Sequence, residues 1–247
     1  MSLVIGMAYR DEFVLVSNDS KVTYQYYEPE TFEPIQDSIQ ETGLKHEKVF
    51  RLTNKVLIST TGYLLAGDLI KKEMAKRIYP ESDLEDCANR LQILIYELKN
   101  GLVKGLTEEE QDIIRFIKGR AFTCNLFGFF QNGLTGMVDY NQLTWNVDII
   151  AASLGEGYPL ILQSPDPEND RANYYKVLSL AKEEQTVENF MSRLATVHAY
   201  LSSIHKGVSS DCSFHLLYRD GNEIRYITPT VETKDFYEQL GLTEDVK

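Results

Sequence analysis

Apolar residues crowd the first 23 positions in two runs, SLVIGMAY (2–9) and FVLVSNDSKVT (13–23), on either side of Arg10-Asp11-Glu12. Two strand-length apolar runs across a short charged turn predict a β-hairpin. The pattern then breaks. Residues 24–46 hold Pro29, Pro34, the carboxylates Glu28, Glu30, Glu33, Asp37 and Glu41, and four aromatics without a period, which predicts a long acidic and aromatic surface loop. Loops beyond ~15 residues are uncommon and often functional, so this one is a candidate lid or subunit contact. Strand-like runs return at KVFRL (48–52) and VLISTTG (56–62), joined by Thr53-Asn54-Lys55.

Helical spacing follows. Ala66, Leu69, Ile70, Met74 and Ile78 share one face, with Pro80 as the stop. Ser82 and Glu85 stand at capping-box spacing ahead of a stripe of Leu84, Cys87, Ala88, Leu91, Leu94, Ile95 and Leu98, and Gly101 marks its end. Thr107-Glu108-Glu109-Glu110 leads a shorter helix through Ile113 and Ile117, its acidic first turn complementing the helix dipole. From 121 to 153 the runs AFTCNLFGFF, LTGMVDY and LTWNVDIIAAS, separated by Gln131-Asn132-Gly133 and Asn141-Gln142, predict a meander. Gly155-Glu156-Gly157-Tyr158-Pro159 reads as a loop, and Thr186 caps a helix whose inward residues run from Val187 to Ile204, with Gly207 at its end. SFHLLY (213–218) and EIRYITP (223–229) flank Arg219-Asp220-Gly221-Asn222 as a last strand pair, and a short helix over 233–241 closes the chain.

Strands and helices thus come in blocks, not in the βαβα alternation of a parallel sheet. This predicts an α+β fold of two antiparallel sheets, each covered by helices. The 247 residues suit a single domain, 1–247, and 43% apolar residues suffice for a sizeable core. A net charge of −12 argues against a nucleic-acid surface. Cys87, Cys124 and Cys212 are scattered and odd in number, which suits free thiols in a reducing compartment. No apolar run reaches the ~18 residues of a membrane span, and the start lacks a secretory pattern, so the expected location is the cytoplasm. His46, His198, His205 and His215 have no metal-site spacing and read as structural, with His205 a second candidate for the site. Phosphate-binding glycine loops are absent from the sequence, and neither metal nor cofactor is expected.

One stretch carries more than a fold. SLVIGMAYRDEFVLVSNDSKVT resembles the opening of proteasome β-type subunits and HslV-type proteases, with Ser2 at the nucleophile position and Asp19 at the acid position when one extra residue sits in the turn. Lys48 stands directly before Val49-Phe50-Arg51-Leu52, with Gly62 14 residues later, the family's spacing between its lysine and its substrate-binding glycine. The resemblance covers nearly the whole chain in element order and implies the four-layer α-β-β-α sandwich of N-terminal nucleophile hydrolases. It implies Ser2 as nucleophile and, through its free α-amine, as base; Lys48 as the charge that lowers the nucleophile's pKa; Asp19 as the group that holds Lys48; and the Gly62 amide as an oxyanion donor. Thr60 falls at the floor of the substrate pocket.

The chain also departs from the family pattern. Glu156 stands where active members carry a serine between two glycines, and the aspartate and serine that support the amine have only Ser209 and Asp211 as candidates, which read equally as a surface turn. A carboxylate near the α-ammonium raises its pKa, and serine lacks the methyl that restricts threonine's rotamer, so weak hydrolysis is expected. The resemblance implies a homo-oligomer, with 66–78 and 24–46 as contact surfaces, acting on a peptide or protein substrate. A non-catalytic member of the fold, acting in assembly or binding, and an amidase for small amides remain the alternatives.

Overall fold

The computed structural model describes residues 3–26, 28–31, 35, 38–118, 122–141, 146–152, 160–166, 169–171, 186–209 and 211–229. The first half runs β1 (Val4–Tyr9), β2 (Phe13–Asp19), β3 (Lys21–Tyr24), β4 (Gln40–Lys45), β5 (Val49–Arg51), β6 (Val56–Gly62), α1 (Leu64–Ala75), α2 (Leu84–Lys99) and α3 (Glu108–Lys118). The second half runs β7 (Phe122–Phe129), β8 (Thr135–Asn141), β9 (Asn146–Ala151), β10 (Leu160–Gln163), α4 (Val187–Ile204), β11 (Cys212–Asp220) and β12 (Glu223–Ile227). The strands form three antiparallel sheets, ordered β10-β1-β2-β11-β12, β5-β6-β7-β8-β9 and β3-β4. The chain is therefore of mixed α+β class, as its element order predicts.

Strand composition follows position in the sheets. A strand covered on both faces needs apolar residues at odd and even positions alike, whereas an edge strand does not. β1 and β2 are buried at every position, while the edge strands β9 and β12 are largely exposed. Side chains of β1 and β2 divide by parity. Leu3, Ile5, Met7, Phe13 and Leu15 pack with Phe190, Leu194 and Leu201 of α4. Val4, Ala8, Val14 and Val16 turn the other way, onto Leu57 of β6, Phe127 and Phe129 of β7, and Met137 of β8. On the far side of β6 and β7, Val56, Ile58, Cys124 and Leu126 join α1, α2 and α3 in a third cluster. Gly6 of β1 makes the close approach between sheets possible, since a Cβ there would lie 1.9 Å from the Phe127 ring.

Some boundaries differ from the sequence reading. The predicted loop 24–46 ends in structure: β3 pairs with β4, with Tyr24 opposite Gln40. β3 is short and half-buried and β4 is largely exposed, so neither shows an apolar period, and the pairing is held partly by polar bonds such as Lys21 Nζ to Glu41 Oε1 at 2.6 Å. α1 stops at Ala75, before Ile78, which still packs against the helical cluster. The cap of α2 is Asp83, not Ser82: its carboxylate accepts from the Asp86 amide at 3.0 Å. A reciprocal capping box forms instead at α3, where Thr107 Oγ1 accepts from the Glu110 amide and Glu110 Oε2 accepts from the Thr107 amide. Thr186 caps α4 as expected. The predicted helix over 233–241 lies outside the described residues. No described helix is long and apolar enough to cross a membrane.

Candidate active site

Asp19 ends β2, and its register opposite Cys212 of β11 puts it inside the sheet, with no exposed surface. A carboxylate buried this deeply requires donors on its oxygens. Oδ1 accepts from Lys48 Nζ at 2.6 Å and from the Leu3 amide at 2.6 Å, and Oδ2 accepts from the Lys21 amide at 3.1 Å. The Asp19 amide in turn donates to the Leu3 carbonyl at 3.1 Å. The start of the chain is thereby laced to the end of β2 by both backbone and side-chain bonds. Ser2 itself lies outside the described residues, but the peptide unit that ends in the Leu3 nitrogen is its own link to the chain.

Lys48 reaches this carboxylate from the other five-stranded sheet. It precedes β5, and its carbonyl accepts from the Thr60 amide at 3.0 Å, which holds it beside the end of β6. Its side chain is only 6% exposed. Burial draws its ammonium below the ordinary lysine range, and Asp19 opposes that shift by charge and hydrogen bond. The result is a partly desolvated cation held by a single carboxylate at one end of the two sheets.

Thr60 and Gly62 line the same pocket as Lys48, an opening of about 640 Å³. Thr60 is nearly buried, and α1 lies tight upon it because Gly67 has no side chain: a Cβ there would sit 2.6 Å from Thr60 Oγ1. Gly62 has φ of +89°, a left-handed backbone that favours glycine and lets the chain turn from β6 toward α1. Thr61 between them bonds outward, to Thr123 Oγ1 at 2.6 Å and to Gln163 of β10 at 3.2 Å. Gln163 also bonds Asn125, which donates to Asp139 at 2.6 Å. Burial raises the Asp139 pKa, and this polar chain ties β10 of one sheet to β7 and β8 of the other next to the pocket.

The structure thus brings Asp19, Lys48, Thr60 and Gly62 together. Ser209 and Asp211 take a different place: exposed Asp211 pairs with Lys45 of β4 at 2.8 Å, and its amide donates to Ser209 Oγ at 3.0 Å. Glu156 and the 155–159 loop lie outside the described residues. His205 bonds Asp170 through Nε2 at 2.9 Å. His46 lines the pocket 3.6 Å from Asp68, and burial lowers its pKa. Among the described residues no group of three or more His, Cys, Asp or Glu side chains converges as a metal site.

Two features escape the sequence. The first is a buried pair beneath the site. His198 Nε2 lies 2.9 Å from Ser17 Oγ, and Ser17 donates to the Ile5 carbonyl, so its oxygen is left to accept and the ring proton belongs on Nε2. His198 Nδ1 has no hydrogen-bond partner among the described residues. Burial, with the charge of Lys48 adding to it, pushes the His198 pKa down to about 3, so the ring is neutral. The second is the pocket wall formed by β3 and the residues after it, which from Tyr24 onward falls within the predicted loop. No periodic signal marks that wall; its aromatic content is the one clue the sequence offers.

A scan against protein-family models finds no match to this chain, and a search of curated proteins finds no similar sequence.

Proposed function

We propose that the protein is an N-terminal nucleophile hydrolase of proteasome type that cleaves peptide or amide bonds with Ser2. The observation that carries this reading is the buried Asp19–Lys48 pair, whose carboxylate also holds the Leu3 amide next to Ser2. The arrangement of α4, two stacked five-stranded sheets and α1–α3 supports a four-layer α-β-β-α sandwich.

In this reading the free α-amine of Ser2 takes the hydroxyl proton as Oγ attacks the substrate carbonyl. Lys48 stabilises the oxygen as it gains negative charge, and Asp19 keeps the ammonium aimed. The Gly62 amide serves the oxyanion of the tetrahedral intermediate. The proton passes from the amine to the leaving nitrogen as the carbon–nitrogen bond breaks, leaving an acyl ester on Ser2. Water activated by the same amine then frees the acid and restores the serine. Glu156 in place of the family's serine keeps the reaction slow. The three unbridged cysteines suit a cytoplasmic setting, and the resemblance favours a homo-oligomer, which light scattering on concentrated protein tests directly.

The test is hydrolysis of a fluorogenic peptide panel by protein shown by intact mass to lack Met1. Measurable but slow turnover is expected, lost in Ser2→Ala and in Lys48→Ala and raised in Glu156→Ser. Turnover that survives Lys48→Ala, or that proceeds undiminished while Met1 is still attached, rules the mechanism out.

A further inference from the structure

A second cavity lies where the ends of β2 and β11 face the segment that leads into β5. Its volume is about 390 Å³, far more than a single water needs. Among the described residues it shares only His46 with the pocket beside Lys48. Three of the residues that line it carry a buried side-chain atom with no hydrogen-bond partner among the described residues: Asn18 Oδ1, His46 Nε2 and His215 Nε2. Folded chains leave few buried polar atoms unpaired, so their gathering around one cavity points to a ligand. Asn18 and His215 are 1% and 2% exposed. The register places them together. Val16 turns toward the other large sheet, Asn18 follows it by two residues, and His215 stands directly across from Val16. Asn18 and His215 are therefore diagonal neighbours on that same face, about 7 Å apart.

Each of the two is fixed in the role it can play. Asn18 Nδ2 donates to the Asp19 carbonyl at 3.0 Å, which orients the side chain and leaves Oδ1 as an acceptor. His215 Nδ1 lies 2.8 Å from the Tyr226 hydroxyl. A phenol is the stronger acid and an imidazole nitrogen the stronger base, so Tyr226 donates and the ring proton sits on Nε2. Tyr226 is itself held, with the Arg51 guanidinium 5.5 Å from its ring centroid. Burial lowers the His215 pKa to about 4, so its ring is neutral.

The cavity thus presents one acceptor and one donor, both uncharged. The rim does not favour an ion. Lys45 is engaged by Asp211 at 2.8 Å, and Glu47 is exposed to water. An ion inside would be desolvated without a free counter-charge. The described side chains form no metal-ligand set. A hydroxyl carries its donor and acceptor on one atom, whereas a carboxamide separates them by roughly 2 Å, which suits partners on two strands.

We propose that this cavity binds a compact, uncharged carboxamide, whose N–H donates to Asn18 Oδ1 and whose carbonyl accepts from His215 Nε2. The site is separate from the cleavage chemistry and does not depend on it.

The experiment titrates the full chain at pH 7 with three small isosteres, acetamide, acetate and acetamidinium, and follows the imidazole resonances of His215 and His46 by NMR. Acetamide is expected to shift the His215 resonance and to bind at least about tenfold tighter than either ion, because each ion lacks one of the two hydrogen-bonding roles. Asn18→Leu keeps the size of the side chain and removes its acceptor, and should weaken acetamide about threefold to tenfold. If that variant fails to fold, the comparison of the three ligands on the parent chain still decides. Equal binding of the three, tighter binding of either ion, acetamide that leaves His215 unmoved, or an Asn18→Leu chain that binds acetamide as the parent does overturns the proposal. Ser2→Ala removes the proposed nucleophile and should leave acetamide binding unchanged, so failure of the hydrolase reading and failure of this site are told apart.

Discussion

At the scale of single residues, the Asp19–Lys48 pair is the most consequential contact. Two opposite charges out of water balance each other only while both are present. Asp19→Ala therefore strands the Lys48 ammonium in a site where it is 6% exposed, and should lower stability by about 3–5 kcal/mol in urea unfolding. A loss below about 1 kcal/mol would mean that the lysine escapes to water. His198 sets a pH dependence. Its folded pKa of about 3 lies below the ordinary 6.5, so between those values the unfolded chain binds a proton that the folded chain does not. His215, depressed to about 4 by burial, acts in the same sense. The histidines make stability fall on acidification below pH 6.5. Between pH 6.5 and 5, above most carboxylate titrations, the histidines dominate the slope. Urea midpoints at pH 7 and pH 5 should differ less in His198→Gln than in the parent; an unchanged difference would place the acid sensitivity elsewhere.

Among the elements, α2 distinguishes a cap by motif from a cap by geometry. Ser82 and Glu85 have the right spacing, yet Asp83 holds the extended backbone of the cap and accepts from Asp86. Asp83→Ala should cost about 1 kcal/mol, whereas Ser82→Ala should cost less than about half of that, since its hydroxyl only accepts a long bond from the Tyr79 amide. Thermal melts of the two variants decide between the assignments. The boundary moves by one residue because the Ser82 carbonyl already accepts from Thr53 Oγ1 at 2.8 Å, which ties that residue to the β5–β6 turn. A contact 29 residues away thus settles a question that the local motif leaves open.

For the molecule as a whole, the spacing of the two large sheets depends on Gly6. Phe127 is fully buried, and its ring occupies the place where any larger residue at position 6 would put its Cβ. Gly6→Ala should destabilise the fold by about 1–3 kcal/mol through overpacking. Adding Phe127→Leu should recover part of that loss, so the double variant should melt above the sum of the two single effects. Additive losses would show that the strain is relieved some other way. Because Asp19 and Lys48 come from different sheets, the same spacing governs the candidate site. Gly6→Ala should therefore disturb ligand binding beside Lys48 as well as stability.

The hairpin of β1 and β2, the helical stripes, the meander of β7 to β9 and the α+β class are legible in the chain itself. Each rests on a period or a turn a few residues long, and the free energy of burial acts directly on that period. Asp19, Lys48, Thr60 and Gly62 could be singled out from their spacing and their resemblance to a known pattern. The contact of Lys48 with Asp19 was implied by the resemblance alone and not by any spacing, since it requires two sheets to stack face to face. The β3–β4 pairing, the Asp83 cap, the His198–Ser17 bond across 181 residues and the aromatic wall of the pocket were decided by tertiary structure alone. None of them repeats along the chain. Each exists because buried polar groups must find partners and exposed short strands must find a neighbour, and those partners are chosen by which surfaces the packed sheets bring together.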